Sequence, residues 1–189
     1  MGLTKLEIIH ELAEFLREHV APNVKLKRSM DGEDSAYMVD WVHPKIYEAA
    51  LPMVGELPAD GVRQSAPSIV VAPTETIDGP TFSQGFHLLF CVWNPGNRED
   101  IDDDGVAHGI RVSAQGWRDL ILLQEKTVRA LREAQCPIGM KLELPVRHSI
   151  YNRTKDTPDY YPYWWGWMQF SLTRPDIKAP RTSPGGFSL

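Results

Sequence analysis

The chain has 189 residues, a length typical of one domain with extensions rather than of two full domains. Hydrophobic residues make up 42% and charged residues 24%, which excludes a chain that is disordered throughout. The formal net charge of −5 argues against electrostatic binding of nucleic acid over the whole surface. Two cysteines are too few for a disulfide framework, and they fit assembly in a reducing cytosol.

The N-terminal region predicts a helix over residues 4–20. Thr4-Lys5-Leu6-Glu7 is a capping-box pattern, in which threonine and glutamate satisfy early backbone amides. Apolar residues then recur every three or four positions: Leu6, Ile9, Ala13, Leu16 and Val20. Acidic residues near the start argue against a signal peptide. The longest apolar run, residues 86–93, is under half of the roughly 20 residues that span a membrane, so we expect no membrane contact.

The middle of the chain predicts strands separated by proline and glycine. A short strand is expected over residues 24–27, followed by a loop-rich insertion over about 31–66. Residues 68–72 predict a buried strand bounded by prolines, and residues 82–93 predict a longer one. A polar loop is expected from residue 94 to about residue 112.

The C-terminal half predicts a second helix from residue 113 or 116 to 134, because apolar residues again recur at helical spacing. Strands are expected over residues 141–150 and 160–172. In the second of these, one face collects four apolar residues: Trp164, Met168, Phe170 and Leu172.

This order of elements predicts an α+β fold with a mixed or antiparallel β-sheet and two helices packed on one face. Residues 1–172 would form a single domain. Residues 173–189 are rich in proline and glycine and cannot bury a core of their own, so they predict an extended C-terminal arm. We expect Ile177 and Phe187 of this arm to dock on a neighbouring subunit.

Candidate catalytic and metal-binding residues are few. Asp100, Asp102, Asp104 and Gly105 match four positions of a calcium-binding loop, but Arg111 stands where that loop needs a glutamate. The pattern therefore favours a solvated acidic loop over a metal site. The six histidines lack the spacing of a helical zinc site.

Signals for nucleophilic catalysis are also missing from the sequence. It contains no G-x-S-x-G elbow, no Walker-type loop and no G-x-G-x-x-G. His87 and Cys91 share a strand face about 13 Å apart by strand rise, outside proton-transfer reach. The sequence predicts no enzyme, no catalytic residue, no metal and no cofactor.

The aromatic run over residues 160–167 predicts a protein interface. Aromatic rings also stack on nucleic-acid bases, but no cation lies between Asp159 and Thr173 to support that role. We therefore expect a strand with one face in the core and the other against a partner. The predicted interface residues are Tyr163, Trp165, Trp167, Arg174, Ile177, Arg181 and Phe187.

Three segments carry a family resemblance: the strand PSIVV, the helix GWRDLILLQEKTVRALREA and the strand YPYWWGWMQFSLTRP. In their order along the chain, these segments resemble the tail-terminator (tail-completion) proteins of long-tailed bacteriophages. The resemblance covers roughly residues 67–176 and also the first helix. These are patterns of order and hydrophobicity rather than catalytic signatures.

The resemblance implies a virion structural protein that forms a non-enzymatic homo-oligomeric ring, usually a hexamer. Such a ring caps the phage tail tube, joins it to the head-side connector, and lets DNA pass through its lumen. Its partners would be the tail tube protein and the head–tail connector protein. It would be assembled in the host cytoplasm and reside in the tail or neck of the virion. The alternatives are another neck or tail-tube subunit, or a small metal-dependent cytosolic enzyme that uses residues 100–104 and a histidine.

Overall fold

The computed structural model describes residues 4–28, 40–50, 65–78, 81–94, 97–98, 110–111, 115–133, 139–151 and 162–175. These residues form two α-helices, one 3-10 turn and nine strands, and they confirm the α+β class. The helices are α1 (Lys5–His19) and α2 (Gln115–Glu133), and the 3-10 turn is Ala21–Asn23. The strands are β1 (Leu26–Lys27), β2 (Trp41–Val42), β3 (Lys45–Glu48), β4 (Ser68–Ile77), β5 (Thr81–Trp93), β6 (Asn97–Arg98), β7 (Ile110–Arg111), β8 (Lys141–Ile150) and β9 (Tyr163–Pro175).

The main sheet has five strands in the order β3-β4-β5-β9-β8. Strand β3 runs parallel to β4, and the other neighbours are antiparallel, so the sheet is mixed. Strands β5 and β9 form its centre, and they pair over their full lengths from Thr81 opposite Pro175 to Trp93 opposite Tyr163. Two short pairs, β1 with β2 and β6 with β7, lie outside this sheet.

Helix α1 begins at the predicted capping box. The Glu7 amide donates to Thr4 Oγ1 at 3.3 Å, and the Thr4 amide donates to Glu7 Oε2 at 2.6 Å. Two amides that lack partners within the helix are thereby satisfied. The helix predicted over residues 4–20 therefore differs from the observed helix by one residue at each end.

The core lies between the two helices and one face of the sheet. Successive side chains of a strand point to opposite faces, so the even-numbered residues of β5 and β9 share the helix side. Buried there are Phe86, Leu88, Phe90, Val92, Met168, Phe170 and Leu172. Helices α1 and α2 contribute to the same cluster, as predicted, and Trp164 packs against it. We call the opposite side of the sheet the outer face.

Strand β4 is longer than the sequence indicates. Pro73 was expected to end it, but pairing with β5 continues to Ile77 after a register shift between Pro73 and Thr76. The shift accommodates a residue that has no amide hydrogen to donate to the ladder.

The expected loop regions and the expected arm also contain strand residues. Strands β2 and β3 lie inside the predicted insertion 31–66, and β6 and β7 lie inside the predicted polar loop. Thr173, Arg174 and Pro175, assigned to the arm from the sequence, pair with Thr81, Phe82 and Ser83 as the end of β9. Strand β9 therefore extends three residues beyond the predicted domain boundary at residue 172. The remainder of the arm, residues 176–189, is outside the described ranges.

Candidate interface on the outer face of the sheet

Three of the predicted interface residues lie together on the outer face. Tyr163, Trp165 and Trp167 occupy alternate positions of β9, opposite Trp93, Cys91 and Leu89 of β5. All three are half-buried. Because both helices cover the other side of the sheet, the outer face presents these rings away from the main core.

The rings rest on a small apolar cluster that is separate from the main core. Ala66, Cys91 and Trp93 are buried there, and Tyr163 and Trp165 pack against them. Trp93 was not predicted from the sequence to lie on this face. The two-residue period of β5 could have predicted this placement. Cys91 and Trp93 are odd-numbered and point to the face opposite the even-numbered core residues Phe86, Leu88 and Phe90.

Among the described residues, two buried polar atoms on this face lack hydrogen-bond partners: His87 Nε2 and Trp165 Nε1. His87 meets the ring of Trp167 edge-on, with 5.9 Å between the ring centroids. A buried donor or acceptor without a partner costs free energy, so native proteins rarely retain one. These two atoms therefore remain unsatisfied by the hydrogen bonds that the described residues make.

The other predicted interface residues are not brought to these rings. Arg174 lies on the helix side of β9, with its guanidinium 5.4 Å from the centroid of the Phe82 ring. Strand alternation explains this placement, since residue 174 has the parity of Phe170 and Leu172. Ile177, Arg181 and Phe187 lie outside the described residues.

A groove of about 340 Å³ continues the outer face toward the other end of β9. Charged and polar side chains form most of its lining, including those of Glu75, Glu143, Arg147, Gln169 and Ser171, and Ile77 and Leu144 add exposed apolar surface. Gly85 lies at its floor, where a Cβ would contact Thr74. Register shifts interrupt β4 between Pro73 and Thr76, and β8 between Glu143 and Arg147, on either side of the groove. We call this surface the polar groove.

The edges of the main sheet are poor sites for adding another strand. Strand β8 carries Pro145, a register shift, and the charged residues Lys141, Glu143 and Arg147. The other edge strand, β3, has only four residues. Prolines, irregular pairing, charges and short length all hinder pairing with a second chain. The outer face is therefore better suited than the edges to contact a partner.

A buried polar network connects the end of β5 to α2 and β1. Lys27 is 5% exposed, and its Nζ donates to Asn94 Oδ1 at 3.1 Å, while Asn94 Nδ2 donates to Asp119. Burial lowers the pKa of Lys27, against the attraction of Asp119. Burial also raises the pKa of Asp119, against the Asn94 hydrogen bond and the Lys27 charge. The network fixes the first turns of α2 beside the sheet.

The one cluster with metal-ligand chemistry among the described residues joins α1 to β3. His10, Glu14 and Glu48 have ligand atoms within 4.8 Å of one another. Arg17 already bonds both glutamates, and His10 Nδ1 lies 3.1 Å from Glu48 Oε1. Burial raises the pKa of Glu48, but the hydrogen bonds from His10 and Arg17 outweigh it and leave the pKa lowered. The charged groups of this cluster are therefore already paired with one another, and they join α1 to β3.

Cys91, which the sequence analysis considered beside His87 for nucleophilic catalysis, is buried and stays protonated at neutral pH. Burial raises the pKa of the Cys91 thiol to about 12, so the reactive thiolate is scarce. The acidic residues 100–104, which sequence patterning compared with a calcium loop, lie outside the described residues.

Comparison with models of known protein families found no match, and comparison with curated proteins found none either. Neither α1 nor α2 is long and apolar enough to cross a membrane; this statement covers only the described part of the chain.

Proposed function

We propose that the protein is a virion structural protein of the tail-terminator type. In this role, copies of the chain form a ring that caps the phage tail tube and joins it to the head-side connector, without catalysis. The supporting observation is the row of Tyr163, Trp165 and Trp167 on the outer face of β9. Aromatic residues are enriched in buried protein interfaces, and this row lies on the side of the sheet opposite the two described helices.

A head-to-tail contact between copies would use two different surfaces of each chain. Such contacts repeat around an axis and close into a ring when the rotation permits. The outer face, with the half-buried rings of Tyr163, Trp165 and Trp167, would supply one surface. The net charge of −5 suits a conduit through which DNA slides without sticking.

The first test is the mass of the purified protein in solution, together with negative-stain images. We expect closed rings with about six times the 21.4 kDa mass of one chain. The substitution Trp167→Ser should abolish them, whereas Trp117→Ser provides a matched control because Trp117 is exposed on α2, on the other side of the sheet. A stable monomer at micromolar concentration would overturn the proposal.

The second test separates the terminator from the alternative of a tube or neck subunit. Purified protein added to growing tail tubes should stop their elongation and remain at one end. A tube subunit would instead polymerise into tubes by itself, and a connector subunit would bind heads without limiting tube length.

A further inference from the structure

The outer face has two parts, one aromatic and one polar, that follow each other along β9. Trp165 lies in the aromatic part, and Ser171 lies in the polar groove. Both residues have the same parity, and six positions separate them. At about 3.3 Å per residue, the two parts are about 20 Å apart. A single extended segment would contact both.

We propose that residues 176–189 of a neighbouring copy occupy the outer face. Arg181 of this segment would enter the polar groove, and Phe187 would pack against Trp165. Arg181 and Phe187 are six positions apart in the sequence, the same offset as between Trp165 and Ser171. The docked segment would run antiparallel to the β9 strand that receives it.

The charges of the two surfaces support this placement. The polar groove carries Glu75 and Glu143 against one cation, Arg147. Across the described part of the chain, neither glutamate side chain forms an ion pair. The segment 176–189 contains one acidic residue, Asp176, and two basic ones, Lys178 and Arg181. Opposite charges fix the register of such contacts.

The direction of β9 favours a neighbouring copy over the same chain. Pairing with β5 continues to Pro175, so the chain leaves the sheet pointing away from Trp165. To cover its own outer face in this register, the segment would have to reverse direction within residues 176–180. Pro180 and Pro184 favour extended backbone at the residues before them. An extended segment of 14 residues reaches about 45 Å, more than twice the distance of about 20 Å between the two parts of the outer face.

This inference rests on the self-assembly in the proposed function, and a crosslinking experiment on the full chain tests it. A photoreactive p-benzoylphenylalanine replaces Phe187, and unlabelled and ¹⁵N-labelled chains are assembled together in equal amounts. After illumination, we expect crosslinks to peptides that contain Trp165 or Trp93, with about half of them joining unlabelled to labelled chains. The same group at Leu122, exposed on α2, should give no crosslink to those peptides.

Crosslinks confined to chains of one isotope would overturn the exchange, because the segment would then cover its own chain. Crosslinks that avoid β5 and β9 would overturn the docking site. Rings without the expected crosslinks would leave the proposed function standing and remove this inference. Chains that give the expected crosslinks but form no closed ring would support this inference and overturn the proposed function.

A charge exchange provides an independent measurement. Glu143→Lys and Arg181→Glu should each weaken association about fivefold, as expected for the loss of an exposed ion pair. The double variant should recover most of that affinity, because it restores opposite charges. Additive losses in the double variant would contradict contact between the groove and Arg181.

Discussion

The indole of Trp164 lies directly against Gly116, the second residue of α2. A Cβ on Gly116 would overlap the five-membered ring of Trp164. The ring also donates from Nε1 to the Asn94 carbonyl oxygen at 3.3 Å. The close approach of α2 to β9 therefore depends on a residue without a side chain.

The substitution Gly116→Ala should destabilise the fold. Alanine has a higher helix propensity than glycine by about 1 kcal/mol, but the added methyl group forces Trp164 to move. Overpacking of this kind typically costs about 1–3 kcal/mol, so we expect a net loss in the free energy of unfolding. Urea denaturation measures it, with Arg118→Ala, exposed on the same helix, as the control. An unchanged or raised midpoint would contradict the packing.

Gln124 joins α2 to the β8–β9 pair, and its replacement should make stability depend on pH. Its Nε2 donates to the carbonyl oxygens of Ser149 at 2.9 Å and Trp167 at 3.1 Å, and the residue is 2% exposed. Gln124→Glu places a carboxylate against two oxygens and should cost about 3 kcal/mol at pH 7.

The sign of the pH dependence follows from burial. The introduced carboxyl is protonated more readily in the folded chain than in the unfolded one, because its pKa is raised. Stability should be highest below the unfolded pKa and should fall as the pH rises through the folded pKa. Gln124→Met has a similar size and no charge, so it should lose stability equally at all pH values. A Gln124→Glu curve parallel to that of Gln124→Met would refute the contact.

The pair Lys27 and Asp119 should show energetic coupling through Asn94. Lys27→Met removes the cation that lowers the pKa of Asp119, and Asp119→Asn removes an anion that raises the pKa of Lys27. Each should cost about 2 kcal/mol, and the double variant should cost less than their sum. Additive losses would show that the two groups do not interact.

Ionisation of Asp119 should also lower the free energy of unfolding as the pH is raised from 3 to 7. Its pKa is raised in the folded chain above the ordinary 3.8, so folding favours the protonated form. The stability that this group contributes is full below the unfolded pKa and is lost as the pH rises through the folded pKa. Asp119→Asn should remove this slope, which thermal melts between pH 3 and pH 7 would detect.

Deletion of residues 176–189 should leave the fold intact and weaken assembly. The deletion begins after the last paired residue of β9, so every strand pair of the main sheet is kept. We expect a melting temperature close to that of the full chain and a smaller assembly by mass. A chain with a Gly-Ser segment of equal length in place of these residues controls for length. Unchanged assembly in both variants would exclude a role for this segment.

Local patterns in the sequence were sufficient for the main elements of this fold. The capping box at Thr4 and Glu7 and the helical spacing after it marked α1, because both signals act within a few residues. The two-residue period of β9 placed Trp164, Met168 and Phe170 on the core side. The same period places Arg174 on the opposite face of β9 from Trp165 and Trp167, although all three were predicted to belong to one interface.

Only the tertiary structure revealed the contacts that join distant segments. Lys27, Asn94 and Asp119 are far apart in the chain, and no local spacing connects them. Strand β3 is too short to stand out from its loop, and its parallel pairing with β4 supplies the hydrogen bonds that make it a strand. The sequence by itself determined which residues form the helices and central strands, since those depend on local periodicity. The tertiary structure decided what the outer face presents, since that depends on which strands become neighbours.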